Sequence, residues 1–182
     1  MRLFTALDLP SEVTANLRDL LGRLRPTARI GWSPPENLHI TTKFIGEWPE
    51  ARLGELQRAL AAMPSGGPIA VRIRNLGFYP NARAPRIFWC GIDAPGLADL
   101  AAATDGATAA LGIARETRPF SPHLTLARIK DRVNIEALQR AVAGLPSTEF
   151  GGIEVRSFFL YLSQLKPTGS VYTKLAEFPL PL

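Results

Sequence analysis

Histidine, cysteine and methionine are scarce in this 182-residue sequence, which contains two histidines, one cysteine and two methionines. A single cysteine excludes an internal disulfide, and we expect Cys90, which lies in an apolar run, to be a small buried side chain. No hydrophobic run is long enough to span a bilayer, and the apolar run before Asp8 is too short for a signal peptide. We therefore predict a cytoplasmic protein with no membrane partner.

The sequence also has no large excess of positive or negative charge. The 21 Lys and Arg residues outnumber the 16 acidic residues, for a formal net charge of +5 and a sequence pI of about 9.9. The arginines are scattered and there is no basic tail, so a polyanionic partner is plausible, but a broad nucleic-acid surface is not indicated. The composition favours a locally positive cleft.

Both histidines lie in copies of one tripeptide, His39-Ile40-Thr41 and His123-Leu124-Thr125. Successive side chains of an extended strand point to opposite faces, so each His shares a face with its Thr. Two such strands side by side would give one pocket two imidazoles and two hydroxyls.

The tripeptides occupy matching places in an internal duplication. The two histidines are 84 residues apart (123 − 39), and so are Arg86-Ile87-Phe88 and Arg2-Leu3-Phe4 (86 − 2). Around them the patterns of apolar residues and turn residues predict strand, helix, strand, helix, strand in each half. In the first half the predicted elements are a strand over 2–8, a helix over 10–25, a loop over 26–36, a motif strand over 37–45, a helix over 47–63 and a strand from 69. In the second half they are a strand from 86, a helix over 96–111, a loop over 116–122, a motif strand over 123–129, a helix over 135–145 and strands over 153–162 and 170–178.

The duplication predicts a bilobal α+β fold, a pseudo-two-fold pair of βαβαβ units that places the two motif strands on either side of a central cleft. We expect residues 1–182 to form a single domain, with one lobe from residues 1–79 and the other from 86–182, separated at the loop 79–85.

Two imidazoles can act as one acid and one base at neutral pH, which suits phosphoryl transfer without a metal. The hydroxyls of Thr41 and Thr125 would hydrogen-bond the non-bridging oxygens, where negative charge gathers. A zinc site is the first alternative, but no acidic residue lies in either motif strand, and only Glu36 and Glu116 lie near them. The other alternative is a pair of core histidines beside good strand-forming threonines. Because the pattern is duplicated and uses both histidines, we predict a catalytic pocket with no metal and no cofactor.

The motif segments, Trp32 to Gly46 and Pro119 to Arg128, resemble the paired signature of the two-histidine (2H) phosphoesterases, and most closely the RNA 2′,3′-cyclic phosphodiesterases, also named 2′-5′ RNA ligases. The resemblance covers nearly the whole chain, since residues 2–7, 160–163 and 169–172 are also similar to that branch. Thr42 departs from the family, which often has an apolar residue there; we expect this side chain to face away from His39.

The resemblance implies two antiparallel sheets that line a cleft, with helices outside, and metal-independent opening of a terminal 2′,3′-cyclic phosphate to a 2′-phosphomonoester. It assigns His39 as the proton donor to the leaving 3′ oxygen and His123 as the proton acceptor that activates water, with Thr41 and Thr125 binding the phosphate. The symmetric motifs permit the opposite assignment of donor and acceptor.

Substrate-binding residues are predicted beside the motifs. Phe44 and Arg128 both lie five residues after their histidines, and a ring with a guanidinium plane suits a clamp for a terminal base. In a regular strand both would point away from the histidines, so the clamp requires a bulge, a twist or a strand end. Lys43 shares the parity of His39 and is a candidate phosphate contact. Tyr172, Arg115 and Arg118 are weaker candidates for contacts with RNA.

Three other functions are consistent with these residues. They are the reverse reaction as a 2′-5′ RNA ligase, a phosphodiesterase for small cyclic nucleotides, and a non-catalytic module that binds RNA ends. The partners expected in each case are RNA ends or nucleotides that carry a 2′,3′-cyclic phosphate, bound by a monomer.

Overall fold

The computed structural model describes residues 1–64 and 66–181. The helices and strands follow the duplicated order that the sequence predicts, with the short strand β2 added in the first half and an additional strand break in the second. The elements are β1 (Arg2–Leu7), α1 (Ser11–Leu24), β2 (Gly31–Trp32), β3 (Ile40–Glu47), α2 (Leu53–Ala61), β4 (Ile69–Tyr79), β5 (Ile87–Asp93), α3 (Leu97–Ala109), β6 (His123–Arg128), α4 (Glu136–Ala143), β7 (Glu149–Val155), β8 (Ser157–Lys166) and β9 (Gly169–Pro179).

The strands form two antiparallel sheets, which confirms the predicted α+β class. The first sheet has the order β3-β1-β8-β9, and the second has the order β2-β6-β5-β4-β7. Each sheet therefore contains one motif strand, β3 in the first and β6 in the second. These two strands contact each other where the sheets meet.

The expectation that each lobe is built from one half of the sequence is wrong. β1 pairs with β8, and β4 pairs with β5, so each sheet combines strands from both halves. The last strand of each half completes the sheet that the other half begins. The loop after Tyr79, which we expected to divide the lobes, instead closes a hairpin within the second sheet.

The predicted single strand over residues 153–162 is two strands that belong to different sheets. Val155 pairs with Ile69 in the second sheet, whereas Ser157 pairs with Pro179 in the first. Only Arg156 separates β7 from β8. β-Branched and aromatic residues are dense on both sides of this break because both strands are partly buried, so the prediction joined them across the polar residues Arg156 and Ser157.

The loop predicted over residues 26–36 contains the short strand β2, which pairs with β6. A 3₁₀ turn over Pro35–Asn37 follows it. The first motif strand therefore begins at Ile40, later than predicted, and His39 lies immediately before it.

The helices pack across the two halves as well. In α1 the predicted apolar face is buried, and this helix lies on β7, where the Asn16 Nδ2 donates a hydrogen bond of 3.0 Å to the Phe150 carbonyl. In the same way α3 lies on β3. None of the helices in the described part of the chain is long and apolar enough to cross a membrane.

Cys90 is fully buried in β5, as its apolar context predicts. Burial raises the pKa of the thiol to about 12. The side chain therefore stays protonated near neutral pH and fills space in the core.

Candidate active site

The two motif histidines are held by the same local contact. The Nδ1 of His39 lies 2.7 Å from the carbonyl oxygen of Asn37, and the Nδ1 of His123 lies 2.9 Å from that of Ser121. A carbonyl only accepts, so each Nδ1 carries the hydrogen that is shared. In the neutral ring the Nε2 of each histidine is then left with a free lone pair, which is the arrangement that proton transfer requires.

Matching β-bulges follow the two histidines. In β3, Thr41 pairs with Ala6 and Lys43 pairs with Thr5, so Thr42 is the extra residue. In β6, Thr125 pairs with Trp89 and Ala127 pairs with Phe88, so Leu126 is the extra residue. A bulge residue reverses the alternation of the side chains that follow it.

The bulges bring Phe44 and Arg128 to the faces that carry Thr41 and Thr125, which resolves the parity problem of the predicted base clamp. The Phe44 ring is 66% exposed, and its centroid lies 6.3 Å from that of Phe4 on the same face. Arg128 is also exposed. An aromatic ring and a guanidinium are therefore both open to solvent next to the motif strands.

Thr42 faces away from His39, as expected. Its side chain is buried behind β3, where its hydroxyl and that of Thr5 share a hydrogen bond of 2.7 Å. Both residues are buried. The polar residue that departs from the family pattern is thus satisfied in the core and has no contact with the pocket.

Lys43 is not a phosphate contact. The bulge turns it to the buried side of β3, where only 6% of its side chain is exposed. Its Nζ donates hydrogen bonds of 2.6 Å to the Asp105 carboxylate and 2.8 Å to the Ala114 carbonyl. The prediction assumed unbroken alternation along β3, and the extra residue Thr42 invalidates that assumption.

Aromatic rings surround His39. The Phe4 ring lies 4.7 Å away, and Tyr172 meets the imidazole edge-on at 5.0 Å. Tyr161 stacks on Phe4 at 5.2 Å and lies 6.2 Å from the imidazole. Tyr172, a weaker candidate in the sequence, thus belongs to the pocket wall.

His39 and His123 have different surroundings, although their motifs match. Burial lowers the pKa of His39 below its ordinary value of 6.5, while the hydrogen bond to the Asn37 carbonyl and the negative charge of Asp8 act in the opposite direction. His123 is exposed. The free protein therefore holds His39 mainly as a neutral ring at pH 7.

A polar pocket of about 330 Å³ opens on one side of His39. Tyr161 donates its hydroxyl to one oxygen of Asp8, and Lys174 pairs with the other. The Lys174 ammonium also lies 4.0 Å above the Phe159 ring. The residues that line the pocket are Asp8, Leu9, Thr14, Pro35, Glu36, Asn37, Leu38, His39, Tyr161, Tyr172 and Lys174.

The sequence interpretation missed Phe4, Asp8, Tyr161 and Lys174. Alternation along β1 places Phe4, Ala6 and Asp8 on one face, and that signal could have been used. The positions of Tyr161 and Lys174 depend on the pairing of β8 with both β1 and β9. No local pattern indicates such pairing over a large separation in sequence.

The two weaker arginine candidates are held in surface ion pairs. Arg115 pairs with Asp105 at 3.4 Å, and Arg118 pairs with Glu116 at 3.5 Å, both on the surface. Glu36 lines the pocket beside His39, but within residues 1–64 and 66–181 no cluster of three or more His, Cys, Asp or Glu side chains is arranged to hold a metal ion. Metal independence remains a prediction, to be tested with a chelator.

The chain is similar to known proteins in both sequence and fold. The model of one protein family, described as LigT-like phosphoesterase, matches residues 7–89 and 92–172. An RNA 2′,3′-cyclic phosphodiesterase of Thermus thermophilus is 37% identical, with 99% of this chain and 90% of that protein covered. A protein of the same name from Methanothermobacter thermautotrophicus is 33% identical, with 99% of both chains covered.

Solved structures have the same fold. A crystal structure of a Thermus thermophilus protein superposes with a TM-score of 0.80 at 35% identity, covering 99% of this chain and 98% of that one. The crystal structure of E. coli LigT complexed with 3′-AMP superposes with a TM-score of 0.78 at 26% identity, covering 98% and 97% of the two chains. The match extends over both sheets and both motif strands.

Proposed function

This chain belongs to the LigT-like phosphoesterase family, and we propose that it hydrolyses the terminal 2′,3′-cyclic phosphate of RNA to a 2′-phosphomonoester, with His39 and His123 as the acid and base. The observation that carries the mechanism is the matched anchoring of the two imidazoles by Nδ1, which leaves both Nε2 atoms free for proton transfer. Relatives that cover nearly the whole chain and are named RNA 2′,3′-cyclic phosphodiesterases support the reaction.

In the proposed reaction the Nε2 of His123 takes a proton from water, and the resulting hydroxide attacks phosphorus. The bond from phosphorus to the 3′ oxygen breaks, and the Nε2 of His39 donates its proton to that oxygen. The products are a 2′-phosphomonoester and a 3′-hydroxyl. Thr41 and Thr125 hydrogen-bond the non-bridging oxygens, whose negative charge increases in the transition state.

The surroundings of His39 are consistent with a donor that is charged when substrate binds. Burial favours the neutral ring in the free protein. A cyclic phosphate beside the ring brings a negative charge, which raises the pKa as Asp8 already does. The imidazolium would then form next to the oxygen that it protonates.

Phe44 and Arg128 form the proposed clamp for the terminal base, and Tyr172 holds the His39 ring from the side. The bulges at Thr42 and Leu126 support this placement because they bring both clamp side chains to the faces of the motif threonines. The sheets on which these residues lie require both halves of the chain, in agreement with a single 2H phosphoesterase domain. Action as a monomer in the cytoplasm is part of the same proposal.

Hydrolysis of a panel of 2′,3′-cyclic mononucleotides and oligonucleotides, with the position of the product phosphate identified, tests the proposal. We expect 2′-phosphate products, an unchanged rate in EDTA, and a loss of about 10²- to 10⁴-fold in kcat for His39→Ala and for His123→Ala. Asn81→Ala, in the hairpin loop after β4, is the control and should retain full activity.

Two results would overturn the proposal. Full activity in either histidine variant would exclude the acid and base roles, and a loss in EDTA that zinc or manganese restores would exclude the metal-independent mechanism. An RNA-end-binding module would bind the cyclic end without converting it. A ligase would join that end to the 5′-hydroxyl of a second RNA, so both alternatives are distinguishable in the same assay.

A further inference from the structure

The chain crosses between the two sheets shortly before each histidine. Helix α1 follows β1 of the first sheet but packs on β7 of the second, and α3 follows β5 of the second sheet but packs on β3 of the first. Two crossing segments, residues 25–39 and 110–122, therefore lead back to the motif strands. The position of each histidine depends on how its crossing segment is held.

The first crossing segment, which leads to His39, is held by the strand that carries His123. Gly31 and Trp32 pair with β6 as strand β2. The Ser33 backbone N–H donates to the Leu126 carbonyl at 2.9 Å, and its hydroxyl donates to the Thr125 carbonyl at 2.7 Å. Backbone pairing thus fixes the approach to His39 against β6.

The second crossing segment, which leads to His123, is held by the strand that carries His39, but through side chains. Lys43 of β3 donates to the Ala114 carbonyl at 2.8 Å and to the Asp105 carboxylate at 2.6 Å. The same carboxylate oxygen accepts the Glu116 N–H at 2.9 Å. Only 6% of the Lys43 side chain and 16% of the Asp105 side chain are exposed.

The contacts that hold the second crossing segment do not repeat those that hold the first. The residue that matches Lys43 in the second motif is Ala127, which is fully buried and has no polar side chain. An ion pair therefore fixes the segment that leads to His123, whereas strand pairing fixes the segment that leads to His39. The bulge at Thr42 keeps Lys43 away from the substrate face, so the Lys43–Asp105 ion pair does not contact the substrate.

We propose that Lys43 and Asp105 are positioning residues, which hold residues 114–116 against β3 and so set the place of His123 relative to His39. The inference rests on the proposed function, because it concerns the geometry of that acid and base pair. The two imidazoles must reach opposite sides of one phosphorus atom, and a displacement of about 1 Å can cost about 10²-fold in rate. If residues 114–116 are held less firmly, the rate of the chemical step should fall more than the affinity for the terminal base.

The test separates positioning from stability with three variants. Lys43→Met keeps the side-chain stem but loses the ammonium, and it leaves the partly buried Asp105 carboxylate with only the Glu116 N–H and the exposed Arg115 as partners, so both Tm and kcat should fall. In K43M/D105L both charges are removed and a well-packed apolar pair can recover Tm, while the contacts to residues 114 and 116 remain lost. Leu97→Ala is the control. Leu97 lies in α3, as Asp105 does, but away from the crossing segment, so this variant lowers Tm by making a cavity.

We expect kcat to fall about 10- to 100-fold in K43M and to stay low in K43M/D105L, with KM changed less than threefold. L97A, assayed well below its Tm, should keep the wild-type kcat. Recovery of kcat together with Tm in the double variant, or a wild-type kcat in K43M, would show that the pair only stabilises the fold and would overturn the proposal.

A measurement that does not depend on activity completes the test. The chain has only two histidines, so their ring signals in an NMR spectrum can be assigned by replacing each in turn. In K43M/D105L the His123 signal should shift or broaden more than the His39 signal, and an unchanged His123 signal would contradict positioning. A wild-type protein that is inactive on every cyclic phosphate would refute the proposed function, while the NMR result would still decide the role of Lys43.

Discussion

Asp8 and His39 line one pocket, although no hydrogen bond joins their side chains in the described structure. Tyr161 and Lys174 hold the two oxygens of the Asp8 carboxylate, so its charge has a fixed place. Burial lowers the pKa of His39, and the charge of Asp8 opposes that effect. The pKa of His39 is therefore a balance between burial, which lowers it, and the Asn37 carbonyl and the Asp8 carboxylate, which raise it.

We predict that Asp8→Asn lowers the pKa of His39 further, because burial then acts with less opposition. A titration of the two histidine ring signals by NMR measures this. Glu36→Gln is the matched control, since Glu36 lines the same pocket but is not among the charges that act on His39. If the pKa of His39 rises or stays the same in D8N, the Asp8 carboxylate does not raise that pKa in the wild-type protein.

The same balance predicts a pH dependence of stability. Between pH 6.5 and the lower pKa of folded His39, the unfolded chain binds the proton more readily than the folded one. The free energy of unfolding should therefore decrease as pH falls through this window, and His39→Gln should remove that part of the decrease. Urea unfolding of both proteins at a series of pH values measures the difference.

A sulfur-substituted substrate can assign donor and acceptor. If His39 protonates the leaving 3′ oxygen, a cyclic phosphorothiolate with sulfur at the 3′ position needs little help, because a thiolate leaves without a proton. We expect the loss of rate in H39A to shrink at least tenfold on this substrate and the loss in H123A to stay the same. The reverse pattern would exchange the two roles.

The base clamp predicts a change in binding rather than in chemistry. Phe44→Leu removes the π face but keeps an apolar side chain, and Arg128→Ala removes the guanidinium plane. Each should raise KM for a cyclic dinucleotide by about 5- to 150-fold, the equivalent of about 1–3 kcal/mol of stacking. Phe44→Trp should retain binding, and Arg140→Ala, which is on the outside of α4, should have no effect. An unchanged KM in F44L would exclude the clamp.

The buried hydroxyl pair behind β3 predicts a stability effect without a catalytic one. Thr42→Val leaves the Thr5 hydroxyl buried without its partner, which should cost about 1–3 kcal/mol of unfolding free energy. Removing both hydroxyls in T5V/T42V should recover most of that loss. Chemical denaturation of the single and double variants measures the coupling, and additive losses would contradict it. Cyclic-phosphate hydrolysis should be unchanged in both.

The sequence predicts the placement of the two His-x-Thr motifs well because that pattern is local. Histidine and threonine two residues apart share a face in any strand, and the spacing of 84 residues placed both motifs correctly in the duplicated order of elements. The side chains beyond Thr41 and Thr125 were harder to assign. A bulge inserts one residue without a mark in the hydrophobic pattern, so Lys43 was assigned to the pocket and is buried behind it.

Long-range pairing could not be predicted from the sequence. The break at Arg156 between two sheets lies in a segment where apolar residues are dense on both sides, since strands of both sheets bury similar residues. The pairing of β1 with β8 joins residues more than 150 positions apart, and no periodicity indicates it. For this reason the lobes were assigned to the wrong parts of the chain, and Tyr161 and Lys174 were missed.

The exchange of strands between the two halves affects how the sheets can be assembled. The first sheet needs β8 to join β1 to β9, and the second needs β4 to join β5 to β7. Neither half contains a complete sheet, so a polypeptide that held only one βαβαβ unit could complete the sheets by associating with a second copy and exchanging its last strand. Joining two such copies end to end would convert an intertwined dimer into one chain, with the hairpin after Tyr79 as the connection between them.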